Sequence, residues 1–216
     1  GMVSALGQVS RGEEAGRLAR LAEAMVHALG EPTDLASTLA LYRGTAHFKM
    51  HEYAPAEAHF RRALELAGGE PDLWRVRVAA LNNLAGVISA QDRYTETLSV
   101  LQQATGSVEE QLGPLHPIVA NLYNNLGVAY TKLQRYEEAR DVLEQSVERF
   151  SKSLGEHSGQ GARAEHNLGL ALARLGEHER AYEAYHNAYD AKSKVFGEMA
   201  LTTALSANNI GEALYD

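Results

Sequence analysis

The 216-residue sequence contains no cysteine, which excludes disulfides and thiolate metal ligands. No apolar run approaches the 18 or so residues that a membrane span requires, so no membrane partner is expected. The N-terminus has no basic stretch leading into an apolar core, and a cytoplasmic setting is the expectation. Basic excess is missing as well: 20 Lys and Arg stand against 28 Asp and Glu, a net charge of −8, which argues against a general affinity for nucleic acid. No GxSxG elbow, Walker A loop or HExxH pair is present. The chain therefore reads as no enzyme, and no cofactor is expected. His47 and His51 are four apart, on one helical face, but a zinc site needs a third and fourth ligand that the sequence does not offer nearby.

What the chain does have is one phrase repeated at a fixed interval. LNNLA ends at Ala85, YNNLG at Gly127, EHNLG at Gly169 and ANNIG at Gly211, in equal steps, and a worn copy, LYRG, ends at Gly44, a step shorter by one. A period of roughly 42 residues marks stacked supersecondary units. Behind each phrase follows an aromatic or its stand-in (Tyr53, Tyr94, Tyr136, His178), then a small residue (Ala56, Thr97, Ala139, Ala181). A bulky one comes next (Phe60, Leu101, Leu143, Tyr185), and a second small one last (Ala63, Ala104, Ser146, Ala188). Small and large residues alternating in steps of three and four let two helices interlock.

Helices are predicted over 12–29, 33–50, 54–67, 72–91, 94–112, 116–133, 136–154, 158–175, 178–196 and 198–214. Gly30 with Pro32, Gly68-Gly69 with Pro71, Gly113 with Pro114 and Pro117, and then Gly155, Gly159 and Gly161 fall as breakers between them. With 45% hydrophobic residues the chain can bury a core, and no shift of composition divides it, so one domain over 2–216 is expected. Its parts are a half unit 2–30, pairs over about 31–69, 70–113, 114–155 and 156–197, and a closing helix 198–216. Helix 198–214 would cap the last pair through Leu205, Ile210 and Leu214; otherwise the half units at the two ends are places for a partner or for self-association into a homo-oligomer.

The pattern resembles the tetratricopeptide repeat, whose L-G-x2-Y, A-x3-F and A positions are matched by Leu126, Gly127, Tyr130, Ala139 and Leu143. The period exceeds the roughly 34 residues usual in that family. Together with LG-P-LHP at 112–117, NNLG at 124–127 and RYEEA at 135–139 it is similar to the long variant found in kinesin light chains and in many bacterial signalling proteins. The resemblance implies an all-α, right-handed superhelical solenoid of antiparallel helix pairs, about ten helices in all. It also implies that the first helices line a concave groove. The groove set would be Asn82 and Asn83; Asn121, Asn124, Asn125 and Lys132; Arg163, His166, Asn167 and Arg174; and Asn208 with Asn209. The first pair offers Leu41, Tyr42, Phe48 and Lys49, an apolar floor. The lysine, asparagine and arginine clamp that some members use for a terminal carboxylate is not reproduced.

Asparagine is a poor helix former whose amide competes for the backbone, so this row of amides needs a reason. Either the amides bond one another and set the stacking register, or they offer donors and acceptors to the backbone of an extended peptide in the groove. Lys132, Arg163, His166 and Arg174 would add a local cationic patch that steers an acidic segment in. The expected function is a non-enzymatic scaffold that binds a peptide or protein segment. The alternative is the peptide-sensing module of a larger bacterial transcriptional or signalling protein.

Overall fold

The helix boundaries follow from caps and breakers already visible as residues. The computed structural model describes residues 21, 24–30 and 32–196, with side chains placed as far as 194. Eight α-helices run through them: α1 (Thr33–Lys49), α2 (Tyr53–Ala67), α3 (Trp74–Ser89), α4 (Tyr94–Leu112), α5 (Pro117–Lys132), α6 (Tyr136–Leu154), α7 (Gly159–Arg174) and α8 (His178–Phe196). Among the described residues there is no strand. The predicted half helix over 12–29 is described only in part, and the closing helix 198–214 lies outside the described residues.

One boundary and one pair of breakers differ from the sequence reading. The helix predicted from residue 72 opens instead as a 3-10 turn, Pro71–Leu73, ahead of α3, because a proline at the first position suits the tighter turn. Gly159 and Gly161 are not breakers but lie in the first turn of α7, where the Ser158 hydroxyl accepts the Gly161 N–H at 3.0 Å. A Cβ at Gly161 would lie 2.8 Å from that hydroxyl, so the cap itself requires the glycine. Gly113 and Gly155 end α4 and α6 with φ of 80° and 84°, as a helix C-terminal glycine should. The extra length of the repeat falls on the second helices: α4, α6 and α8 have 19 residues each, against 16 in α3, α5 and α7.

The described helices gather into two compact units, one up to Gln91 and one from Asp92 onward. In the first, α1 packs on α2 and α2 on α3, around Ala40, Ala63 and Ala80. In the second, α4 to α8 each pack on the next, and a core of Ala139, Leu143, Leu168, Ala171, Leu172, Ala181, Ala184 and Tyr185 joins α6 to α7 and α8.

Within the pairs the signature glycine is a matter of space. A Cβ at Gly127 would lie 2.3 Å from Cγ of Leu143, one at Gly44 2.6 Å from the Phe60 ring, and one at Gly169 2.7 Å from the Tyr185 ring. The bulky residue of the second helix thus sits against the backbone of the first, which is the interlock that the small and large alternation predicts. The turn inside each pair places one residue in the left-handed region: His51, Asp92 and Gln134, each at φ 59°, and Gly176 at 76°. The fourth turn alone uses the residue that adopts this conformation without strain.

Candidate functional site

The amide row in the second unit is built by α5 and α7, first helices of neighbouring pairs that lie side by side. Asn124 is fully buried, at 2% exposure, and the amides form a relay. Asn167 donates to Asn124 Oδ1 at 2.8 Å, Asn124 donates to Asn125 Oδ1 at 3.3 Å, and Asn125 donates to Asn121 Oδ1 at 3.3 Å. The bond from Asn167 to Asn124 spans two repeats, so these two amides set the stacking register, the first of the two roles their pattern allowed. In the first unit Asn83 likewise reaches back from α3 to the Thr45 hydroxyl of α1, at 3.4 Å. Asn82, beside it on α3, is half-buried. Buried amides that bond one another add no unsatisfied polar atoms to the helix interface, which is how helix-unfriendly asparagines are tolerated there.

The four proposed cationic residues do not form one patch. Lys132 and Arg174, both exposed, end α5 and α7 and stand at the same end of neighbouring helices, where a cation also suits the helix dipole. Arg163, also exposed, is in the first turns of α7, roughly 16 Å away along the axis at 1.5 Å per residue. His166 belongs to the packing of the pair: its ring meets Tyr185 of α8 edge-on at 5.6 Å, and Nδ1 is buried with no hydrogen-bond partner among the described residues. Burial, with Lys192 nearby, holds that imidazole below its ordinary pKa, so it drops out of the cationic set. Asn208 and Asn209 lie outside the described residues.

Of the apolar floor expected in the first unit, Leu41 is drawn into the alanine core and Phe48 packs beside Tyr53, with ring centroids 6.1 Å apart. Tyr42 is left 69% exposed, in the slot that holds asparagine in the later repeats. His47 and His51 are engaged separately. His47 Nδ1 lies 2.5 Å from Glu52 and its ring stacks on His59 at 5.2 Å, while His51 Nδ1 is 3.2 Å from the Tyr53 hydroxyl. Among the described residues no three His, Asp or Glu side chains are placed to hold a metal ion.

Ion pairing separates the two kinds of helix. On the second helices the arginines are tied down: Arg140 reaches Glu177 at 3.1 Å and Arg180 reaches Glu144 at 2.6 Å, linking one pair to the next, while Arg135 pairs with Glu138. Lys132, Arg163 and Arg174 on the first helices make no ion pair with a described residue.

Sequence reasoning missed one position, four before the signature glycine. It is Leu81 in the second repeat, Tyr123 in the third and Glu165 in the fourth. The carboxylate in a slot that is otherwise apolar was the available signal. Glu165 is mostly buried, and that burial raises its carboxyl to about 7 against an opposing hydrogen bond from Asn187.

Residues 76–152 match the profile of the tetratricopeptide repeat family. No curated protein matches the sequence. Among solved structures, BtubC (BKLC) from P. vanneervenii superposes with a TM-score of 0.78 at 20% identity, over 94% of this chain and 81% of that one. RapI in its apo form gives 0.79 at 15% identity, over 94% and 77%. A kinesin light chain-like protein of Podosopora anserina with nearly identical TPR-like repeats gives 0.70 at 18% identity, over 85% and 87%. At such identities the likeness speaks for the fold. With the interlocked glycines and the cross-repeat amides, it gives this chain a tetratricopeptide-repeat-like fold.

Proposed function

We propose that the chain is a non-enzymatic scaffold that holds an extended, acidic peptide or protein segment against its first helices. The observation that carries this reading is the contrast in pairing. Arg140 and Arg180 on the second helices are consumed in ion pairs between repeats, and Arg61, Arg62 and Lys152 in pairs within their own helices, whereas Lys132, Arg163 and Arg174 are exposed and make no ion pair with a described residue beside the half-buried amide row. Exposed, unpaired cations steer an anionic partner, and Asn121 and Asn125 at the half-buried end of the relay supply the polar contacts for its backbone. Asn124 and Asn167 support the groove from beneath. The fold is one that serves protein interaction, and a likeness to a protein described in an apo form is in keeping with a ligand-binding array.

The test is selection from a random peptide library on the immobilised chain, followed by titration of one enriched peptide. Charge reversal by Arg174→Glu should slow association and flatten its salt dependence, because steering by exposed charge acts on the on-rate. If the reversed variant binds the enriched peptide with the parent's rate and salt dependence, the first-helix face is not the binding surface.

A further inference from the structure

The third and fourth pairs build the same slot and fill it differently. In the third, the Tyr123 ring occupies it and the chain supplies its own guanidinium: Arg149 lies over the ring at 4.1 Å, 3.8 Å from Glu109, and its Nε donates to the carbonyl of Pro114 at 3.1 Å. One repeat on, Tyr123 becomes Glu165, Arg149 becomes Ala191 and Pro114 becomes Glu156. The loop carrying that carbonyl is preserved, since Gly113 has φ 80° and ψ 161° and Gly155 has φ 84° and ψ 164°. The aromatic ring and the guanidinium are thus both deleted in the fourth pair while the loop that receives the guanidinium remains. What is left is a cavity of ≈ 370 Å³ between α6, α7 and α8, lined by Glu165, Asn187, Asp190, Ser151, Glu156 and His157, the last bonded to Lys194 at 3.1 Å.

The geometry points to this cavity as a binding site for a guanidinium group carried by another molecule, an arginine side chain of a bound polypeptide. The guest would stand where Arg149 stands one repeat earlier, against the Glu156 carbonyl, with Glu165 as its counter-ion in place of Glu109. Planar carboxylates and a carbonyl suit the fixed donor fork of a guanidinium better than the point charge of an ammonium. The site is separate from the amide row. Glu165 and Asn167 are two residues apart on α7, some 200° around the helix at 100° per residue, and so face opposite ways. Because burial raises the Glu165 carboxyl to about 7, so that a large share of it is protonated at neutral pH, an arriving cation would displace that proton to solvent, and binding is best measured at pH 8.

The probe is N-acetyl-arginine amide, titrated calorimetrically into the full chain, with N-acetyl-citrulline amide as the uncharged analogue of the same shape. Saturable binding of the arginine compound is expected, at least tenfold tighter than citrulline and weakened at least tenfold by Glu165→Gln. Asp190→Asn, more exposed, should weaken it by a smaller factor, and circular dichroism establishes that both variants keep their helix. The assignment is overturned by equal binding of the two compounds, by Glu165→Gln binding like the parent, or by no saturable binding up to about 10 mM, the millimolar range where a single ionic contact is still seen. None of these outcomes depends on the acidic peptide of the first-helix face.

Discussion

The third and fourth pairs share a backbone plan, and the in-register changes from Tyr123 to Glu165 and from Arg149 to Ala191 separate a filled slot from an open one. In the third pair Tyr123 is backed by Arg149 and bonded through its hydroxyl to Glu109 at 3.3 Å, so ring, cation and carboxylate satisfy one another. In the fourth, Glu165 has the Asn187 amide and no cation in the place of Arg149, and burial pushes its carboxyl up to about 7. A repeat fold therefore holds its geometry through the positions that interlock, Gly127 with Leu143 and Gly169 with Tyr185. The slot four residues earlier is free to change chemistry without changing the backbone.

The largest effect expected is at the interlock that both pairs share. Gly127→Ala would place a Cβ 2.3 Å from a leucine side chain that is itself fully buried, and Leu143→Ala would remove that side chain instead. Each should cost about 3 kcal/mol, by overpacking and by cavity formation respectively, read as a fall in urea midpoint. Combining them should recover part of the loss, since the small residue makes room for the new Cβ; additive losses would mean that the two helices do not meet at this point.

Next comes the charge that sets the fourth pair apart. The folded carboxyl of Glu165 titrates near 7, above its unfolded value of 4.5, so the fold binds an extra proton between those limits. Its contribution is complete below pH 4.5 and is lost as pH rises through 7, on the order of 3 kcal/mol at most. His166, next to it, acts in the opposite sense: its pKa is depressed by burial, so its contribution is present above 6.5 and is lost as pH falls. Thermal unfolding of the parent between pH 5 and 8 should show these slopes opposing one another, and Glu165→Gln should unmask the histidine, with stability rising with pH. An unchanged profile in the variant would place Glu165 in water. Glu165→Tyr, which copies the third pair, should raise the midpoint at pH 8.

The amide relay ranks below these. Asn124→Ala would remove a fully buried amide and leave the half-buried Asn167 donor unpaired, at about 1–3 kcal/mol, whereas Asn121→Ala, at the half-buried end, should cost less than about 1 kcal/mol. Equal losses at the two positions would argue against a register role for the buried pair. The smallest effect sharpens the turn comparison: Gln134→Gly relieves a left-handed residue where the fourth pair already has Gly176, and should stabilise by about 0.5 kcal/mol in chemical denaturation.

Much of this was legible as sequence because it depends on period and size. The even recurrence of the signature, the glycine opposite the bulky residue at Gly44, Gly127 and Gly169, and the glycines that end α4 and α6 all follow from local sterics that the residue types alone impose. The amides were legible as a row but not in their role. A side chain such as Asn124 can turn inward to a partner 43 residues away or outward to a ligand, and only the packing of α7 on α5 decides for the inward bond. The same holds for charge: Lys132, Arg163, His166 and Arg174 look alike as letters, yet burial against Tyr185 neutralises one of them and the length of α7 sets another apart. Sequence by itself determined the all-helical repeat, since helix formation and interlock are properties of neighbours along the chain. Tertiary structure decided which polar groups face one another and which face solvent, because hydrogen bonding and desolvation depend on what the next repeat brings alongside.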